Sequence, residues 1–373
     1  MNSDSNVNSS NRLLCIDALR GFDMLMISGL GAFIYLLHGK TNMPWVDAVA
    51  LQFEHTTWHG FTFYDFIFPL FLFIAGVSIP FSLSKARAMG MSKSICYRKA
   101  WKRMLILFAL GVLEKNLPFP FFDWAEIRLG GVLQRIGIAG FITTVLYINF
   151  SAKSRAICIM GILLTYYALM FMVPVPGFGA GDLSFEGNLH GWLDRMILPG
   201  RLIQKTFDEN GILTQLPAMC LTLLGSLAGD LLKDQARSAY QILRNLIMFG
   251  MVCLCLALLW NLHFPINKRL WSSSFILLTG GLSFLLLALF YYMVDILKYT
   301  KWTFVFMVIG MNSITIYLVS RFFDFTYSSR LLFQGLYMHA AAQWHPVWES
   351  LGALVLVWLF LYALYKKNIF LKI

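Results

Sequence analysis

The sequence predicts an all-α, polytopic integral membrane protein with about ten transmembrane helices and both termini in the cytoplasm. Two compositional facts and one pattern carry this. Of 373 residues, 58% are hydrophobic and only 13% charged, about half the charged share of an ordinary soluble domain. The mean hydropathy of +0.66 and the 16% aromatic content exclude disorder. The pattern is a series of apolar runs, each near the roughly 20 residues that a bilayer crossing needs. They lie near 13–37, 62–84, 101–116, 130–149, 155–173, 212–232, 242–262, 272–295, 303–322 and 346–366.

Charge between these runs tests the count and sets the orientation. The loop at 84–103 carries Lys85, Arg87, Lys93, Arg98, Lys99, Lys102 and Arg103. Later loops on the same side add Lys153, Arg155, Lys233, Arg237, Arg244, Lys298 and Lys301, and the C-terminal stretch adds Lys366, Lys367 and Lys372. With Arg12 these make up most of the 30 cations, and their side is expected to be cytoplasmic. The run at 101–116 is the shortest, ending in Glu114-Lys115. The expected division is a cytoplasmic tail at 1–12, since MNSDSNVNSSN lacks the basic region of a signal peptide, and one transmembrane domain at 13–373. Two connections on the far side, near 38–61 and 174–211, are long enough to suggest ordered function.

A net charge of +11 suits a nucleic-acid binder. So apolar a chain cannot build a solvated basic face over most of its length, and no nucleic-acid partner is expected. The six cysteines are scattered without a CxxC pair, so neither a disulfide framework nor a zinc ribbon is indicated.

Polar groups at membrane depth are costly and each is a functional hypothesis. The densest run is Glu54 to Pro69, at the far-side mouth of the second span, with His55, Trp58, His59, Tyr64 and Asp65. A histidine there can take a proton near neutral pH and an aspartate can orient its ring. The competing reading is an interfacial aromatic belt. His55 and His59 are spaced i, i+4, but no third ligand stands at a recognisable spacing, so no metal site is expected.

Asp17 and Arg20 are i, i+3 neighbours that can pair, or Arg20 can hold an anionic group at the cytoplasmic mouth. The run Arg98-Lys99-Ala100-Trp101-Lys102-Arg103 reads as a topology signal that would also suit phosphates. Arg128, Gln134 and Arg135 at the fourth span and Asn312 in the ninth suit either helix–helix hydrogen bonds or a site. Gly225 and Gly229 read as close helix packing. His38, His190 and His263, at span ends or in loops, are expected to be solvated or interfacial.

Several of these motifs together resemble the heparan-α-glucosaminide N-acetyltransferase family and its bacterial relatives. The carriers are Ile16-Asp17-Ala18-Leu19-Arg20-Gly21, the His-x-x-Trp-x-Gly-x-x-x-x-Asp-x-x-Phe-Pro block at His55–Pro69, and Arg128 to Gly137. Asp208 to Leu213 and Gly310-Met311-Asn312 also match. The resemblance implies a polytopic enzyme that moves an acetyl group from cytoplasmic acetyl-CoA to an amino sugar on the other side of the membrane, in a bacterial inner membrane. It puts the catalytic histidine at His55, with Asp65 orienting it. Trp58, His59, Gln134 and Asn312 are then expected acceptor or carbonyl contacts. Asp17, Arg20, Arg98, Lys102, Arg103, Arg128 and Arg135 are expected acetyl-CoA contacts. Gly31 stands where the resemblance would place an Asn. Expected partners are acetyl-CoA, an amino sugar or glycan, and membrane lipids, with a homodimer as an open option. Direct transfer and an acetyl-histidine intermediate remain alternatives, as do an O-acetyltransferase of envelope glycans and a sugar permease without chemistry.

Overall fold

The computed structural model describes residues 13–371. The 1–12 tail with Arg12, and Lys372, lie outside the described residues. Helices dominate, in chain order α1 (Leu14–Leu25), α2 (Gly31–Tyr35), α3 (Pro44–Leu51), α4 (Phe63–Ala88), α5 (Lys93–Lys115), α6 (Val132–Asn149) and α7 (Ala152–Met172). A two-residue hairpin, β1 (Pro174–Val175) and β2 (Gly179–Ala180), pairs antiparallel with Pro174 opposite Ala180. There follow α8 (Leu189–Ile197), α9 (Gln215–Lys233), α10 (Ala239–Asn261), α11 (Ser273–Phe290), α12 (Thr303–Gly310), α13 (Ser313–Phe322), α14 (Phe325–Tyr337) and α15 (His345–Lys366).

Among the described residues, eight helical stretches are long and apolar enough to cross a membrane, and nine if α12 and α13 count as one broken span. The first of them, Leu14–Tyr35, joins α1 and α2 through a π-helical turn at Met26–Leu30, where Gly29 has φ 139°. The remaining expected span, the third, corresponds to α5, which begins at Lys93 and not near 101. Ser92 caps it by accepting from the Ile95 amide. The stretch read as a basic loop is therefore mostly helix, and its cations make α5 too polar to qualify by hydropathy alone.

Glycines set how closely the helices approach. A Cβ on Gly225 would lie 2.0 Å from the Phe73 carbonyl oxygen, one on Gly229 2.5 Å from that of Val77, and one on Gly76 2.1 Å from that of Thr222. The α4–α9 seam is thus backbone against backbone, as the Gly225–Gly229 spacing suggested. Gly21 and Gly310 do the same between α1 and α12, where a Cβ on Gly310 would lie 2.5 Å from the Asp17 carbonyl oxygen. The main core runs through α4, α9 and α11, with Phe73, Leu221, Phe275 and Phe284 buried.

Because successive spans alternate in direction, Asp17, Lys85, Lys99, Lys153, Lys233 and Lys366 gather at one end of the bundle, here the basic end. The other, the histidine end, gathers the loops 52–62, 173–214 and 262–272.

Candidate active site

The site begins with the start of α4. Thr62 and Asp65 form a capping box at its N-terminus. Asp65 Oδ2 accepts from the backbone amides of Thr56 (3.4 Å) and Thr62 (3.3 Å) and from the Thr56 hydroxyl (3.1 Å). That saturates one oxygen and pins the carboxylate. The other, Oδ1, accepts from His55 Nδ1 at 2.8 Å. Asp65 is buried while the His55 side chain is 46% exposed. With Nδ1 carrying the proton for Asp65, Nε2 presents a lone pair to the surface, the tautomer that a general base requires. Tyr64 stacks on the imidazole, centroids 4.8 Å apart. Gly31 makes room for that tyrosine, since a Cβ there would lie 2.7 Å from Tyr64 Cε2.

Two other segments close around this loop. The Gly60 amide donates to the Ile266 carbonyl at 2.9 Å. Asn267 Nδ2 donates to His59 Nδ1 at 3.3 Å, and partial burial lowers the His59 pKa. Trp58 Nε1 donates to the Leu183 carbonyl, and its ring packs against Phe185 and Phe207. Trp58 and His59 therefore anchor the loop that carries His55 to two different segments. Lys268 Nζ lies 2.9 Å from His55 Nδ1, 3.1 Å from Nε2 and 3.4 Å from Asp65 Oδ1. Arg269 faces Glu209 at 3.9 Å. The sequence alone singles out neither Lys268 nor Arg269. Their only mark in the sequence is that Asn267-Lys268-Arg269 is a polar triplet directly before an apolar span, which does not point to His55.

At the basic end the bundle opens into a cavity of about 460 Å³ between α4, α5 and α6, lined by Ser78, Lys99, Lys102 and Arg103 among apolar groups. Positions 99, 102 and 103 share one face of α5 because of helical spacing. A second cavity, about 260 Å³, continues inward past Arg20, Arg103, Phe71, Leu133 and Gly310. Ser78 and Arg103 border both. Arg20 donates to Ser78 at 2.8 Å and lies 3.5 Å from Asp17. Arg98 is exposed and lines neither cavity. From Ser78 to Asp65 along α4 is about 20 Å at 1.5 Å per residue, so the two ends of the site are far apart but joined by one helix.

A profile described as heparan-alpha-glucosaminide N-acetyltransferase, catalytic, matches residues 12–265, two thirds of the chain and all of the His55–Asp65 block. The chain belongs to this family. It is 28% identical to the heparan-alpha-glucosaminide N-acetyltransferase of Mus musculus, an alignment covering 98% of this chain and 61% of that protein. It is 27% identical to the Homo sapiens protein of the same name, covering 97% and 60%. The chain thus spans about three fifths of the length of these curated relatives.

Within this N-acetyltransferase family member, four expected contacts fall elsewhere than the sequence suggested. Arg128 is buried at the histidine end, paired through Nε (2.6 Å) and Nη2 (2.9 Å) with Asp208. Arg135 is fully buried at the same end, with its guanidinium 4.3 Å from the centroid of the Trp271 ring and bonded to Thr214. Both sit at or just before the N-terminus of α6, toward the histidine end and away from Lys99, Lys102 and Arg103. Asn312 lies at the α12–α13 break, level with the start of α1, where its Nδ2 donates to the Ile369 carbonyl at 3.1 Å. It is therefore not beside His55. Gln134 is buried, donates to the Leu129 carbonyl, and is walled in by Gly111 and Gly131. His190, expected at a solvated position, is fully buried 3.4 Å from Asp194. Burial pushes the His190 pKa down to about 3 and that of Asp194 up to about 6.

Proposed function

We propose that this chain is a transmembrane acetyltransferase that takes the acetyl group from acetyl-CoA entering at the basic, cytoplasmic end and passes it to the amine of a glucosamine-type sugar at the histidine end. The observation that carries the reading is the Asp65–His55 pair, locked on one side and open on the other, at the far end of a bundle whose basic end holds a cation-lined cavity. The diphosphate of the donor suits Arg20, Lys102 and Arg103, while the apolar inner lining suits a slender pantetheine arm. His55 Nε2 accepts the proton of the attacking amine, and Asp65 fixes the ring and stabilises its protonated form. The names of the relatives supply the acceptor class.

The test is acetyl-CoA turnover in membranes against a panel of amino sugars, wild type beside His55→Ala. Turnover that falls by roughly 10²–10⁴-fold in the variant is expected. A wild type that transfers no acetyl group to any amino sugar would sink the proposal and favour a permease.

A further inference from the structure

Acyl transfer through a tetrahedral centre needs a hydrogen-bond donor aimed at the carbonyl oxygen as negative charge develops on it. Neither amide suggested by the sequence contacts His55, since Asn312 lies toward the basic end and Gln134 is buried against Gly111 and Gly131 with its Nε2 donating to Leu129. Lys268 stands there instead. Its Nζ is nearly equidistant from the two imidazole nitrogens, at 2.9 and 3.1 Å. An in-plane approach at those distances would collide with Cε1, so the ammonium sits over the face of the ring and leaves the Nε2 lone pair unobstructed. Of its three N–H groups, one turns to Asp65 Oδ1 at 3.4 Å. The ring face offers no lone pair to the other two.

The cation is also held in place. Its side chain is 13% exposed. The loop beneath it is fixed by Asn267, whose amide donates to Ser272 Oγ and whose Oδ1 accepts from the Leu270 amide. The Gly60–Ile266 bond ties that loop to the histidine loop. A preorganised cation next to the base is the arrangement that favours an oxyanion without reorganisation at the moment of reaction.

We propose that Lys268 is the electrophile of the reaction, donating a hydrogen bond to the thioester carbonyl oxygen as it becomes the tetrahedral oxyanion. This rests on the acetyl-transfer reading above. The amine nitrogen bonds to the carbonyl carbon, the C=O electron pair moves onto the oxygen held by Lys268, and His55 Nε2 takes the amine proton. Collapse restores the C=O bond and breaks the C–S bond, and the departing thiolate takes the proton from His55. Lys268 keeps its own protons throughout.

The role requires a charged Lys268. Burial lowers its pKa below the ordinary lysine value, with Glu209 and Asp65 opposing that shift and Arg269 adding to it. Activity should therefore fall on the alkaline side before an ordinary lysine would titrate. The groups facing it are His55, Asp65, Glu209 and Arg269.

The experiment compares kcat, KM and pH profiles for acetyl-CoA plus amino sugar in the reconstituted full chain, as wild type, Lys268→Met and Lys268→Arg, with thermal unfolding as the control for folding. Lys268→Met should lose about 10²–10³-fold in kcat with the donor KM changed by no more than a few fold. Lys268→Arg should keep part of the activity and move the alkaline limb to higher pH. A Lys268→Met protein within a few fold of wild-type kcat, or a Lys268→Arg protein with an unmoved alkaline limb, overturns the assignment. Where the Met variant does not fold, the limb of the Arg variant decides. A wild type inactive toward every amino sugar would instead overturn the acetyl-transfer reading, and this inference with it.

Discussion

Replacing Asp65 with Asn changes one oxygen into an NH₂ group, and the surroundings dictate which. Two backbone amides and the Thr56 hydroxyl all donate to Oδ2. An NH₂ placed there would leave those donors facing another donor. The asparagine must therefore keep its oxygen in that slot and turn its NH₂ toward His55 Nδ1. Nδ1 then has to accept, so the ring proton moves to Nε2, and the base loses the lone pair it needs. A charge-assisted bond at 2.8 Å is lost as well. A general base contributes about 10²–10⁴-fold, or roughly 3–5 kcal/mol at 1.36 kcal/mol per decade. Asp65→Asn should cost kcat/KM most of that range, with the protein otherwise folded, because the Oδ2 bonds survive. The assay is acetyl transfer in reconstituted membranes with thermal unfolding alongside. An Asp65→Asn enzyme within a few fold of wild type would refute the claim that this carboxylate sets the tautomer.

Gly31→Ala should displace the Tyr64 ring and with it His55, lowering kcat/KM by roughly 10–10²-fold as for a small misplacement of a reacting group, and unchanged kinetics would refute the support role of Gly31. Asp208→Asn should lower stability by about 3–5 kcal/mol, because Arg128 remains buried without its counter-charge. Burial pushes the Asp208 carboxyl up, but Arg128 outweighs it and the net pKa is lowered. Its stabilisation is therefore present above the usual carboxylate range and lost as pH falls through the depressed value. Melting curves against pH should show that acid-side loss in wild type and not in Asp208→Asn, and identical curves would refute the pairing.

Hydropathy made most of the bundle legible, because a bilayer imposes a length and a polarity that nine of the ten expected spans satisfy. It misread the start of α5, since cations lower hydropathy without breaking a helix. It gave no hint of α3, α8 or α14, short helices inside connections, whose boundaries are set by tertiary contacts and not by membrane thickness. At the site, His55 and Asp65 were legible because their partners lie ten residues apart within one polar block. Lys268 was not, as its relation to His55 spans 213 residues. Arg128 and Arg135 were read as donor contacts because a cation in an apolar stretch announces that it needs compensation, not whether a protein group such as Asp208 or the Trp271 ring already supplies it.

The glycine contacts also govern what can move. Where α4 and α9 meet carbonyl against Cα, neither helix can slide or roll without driving main-chain atoms into each other, so this pair behaves as a fixed anvil, with Asp65 at its tip. The soft places are the π-helical turn at Met26–Leu30 and the 67° break between α12 and α13. Both belong to spans that flank the inner cavity from the opposite wall. Admission of a bulky molecule would then work like a door hung on a rigid post, with a flexing panel made of the first and ninth spans. The whole-bundle rocking by which carriers expose a site alternately to two sides would have to shear the α4–α9 seam, where main chain meets main chain.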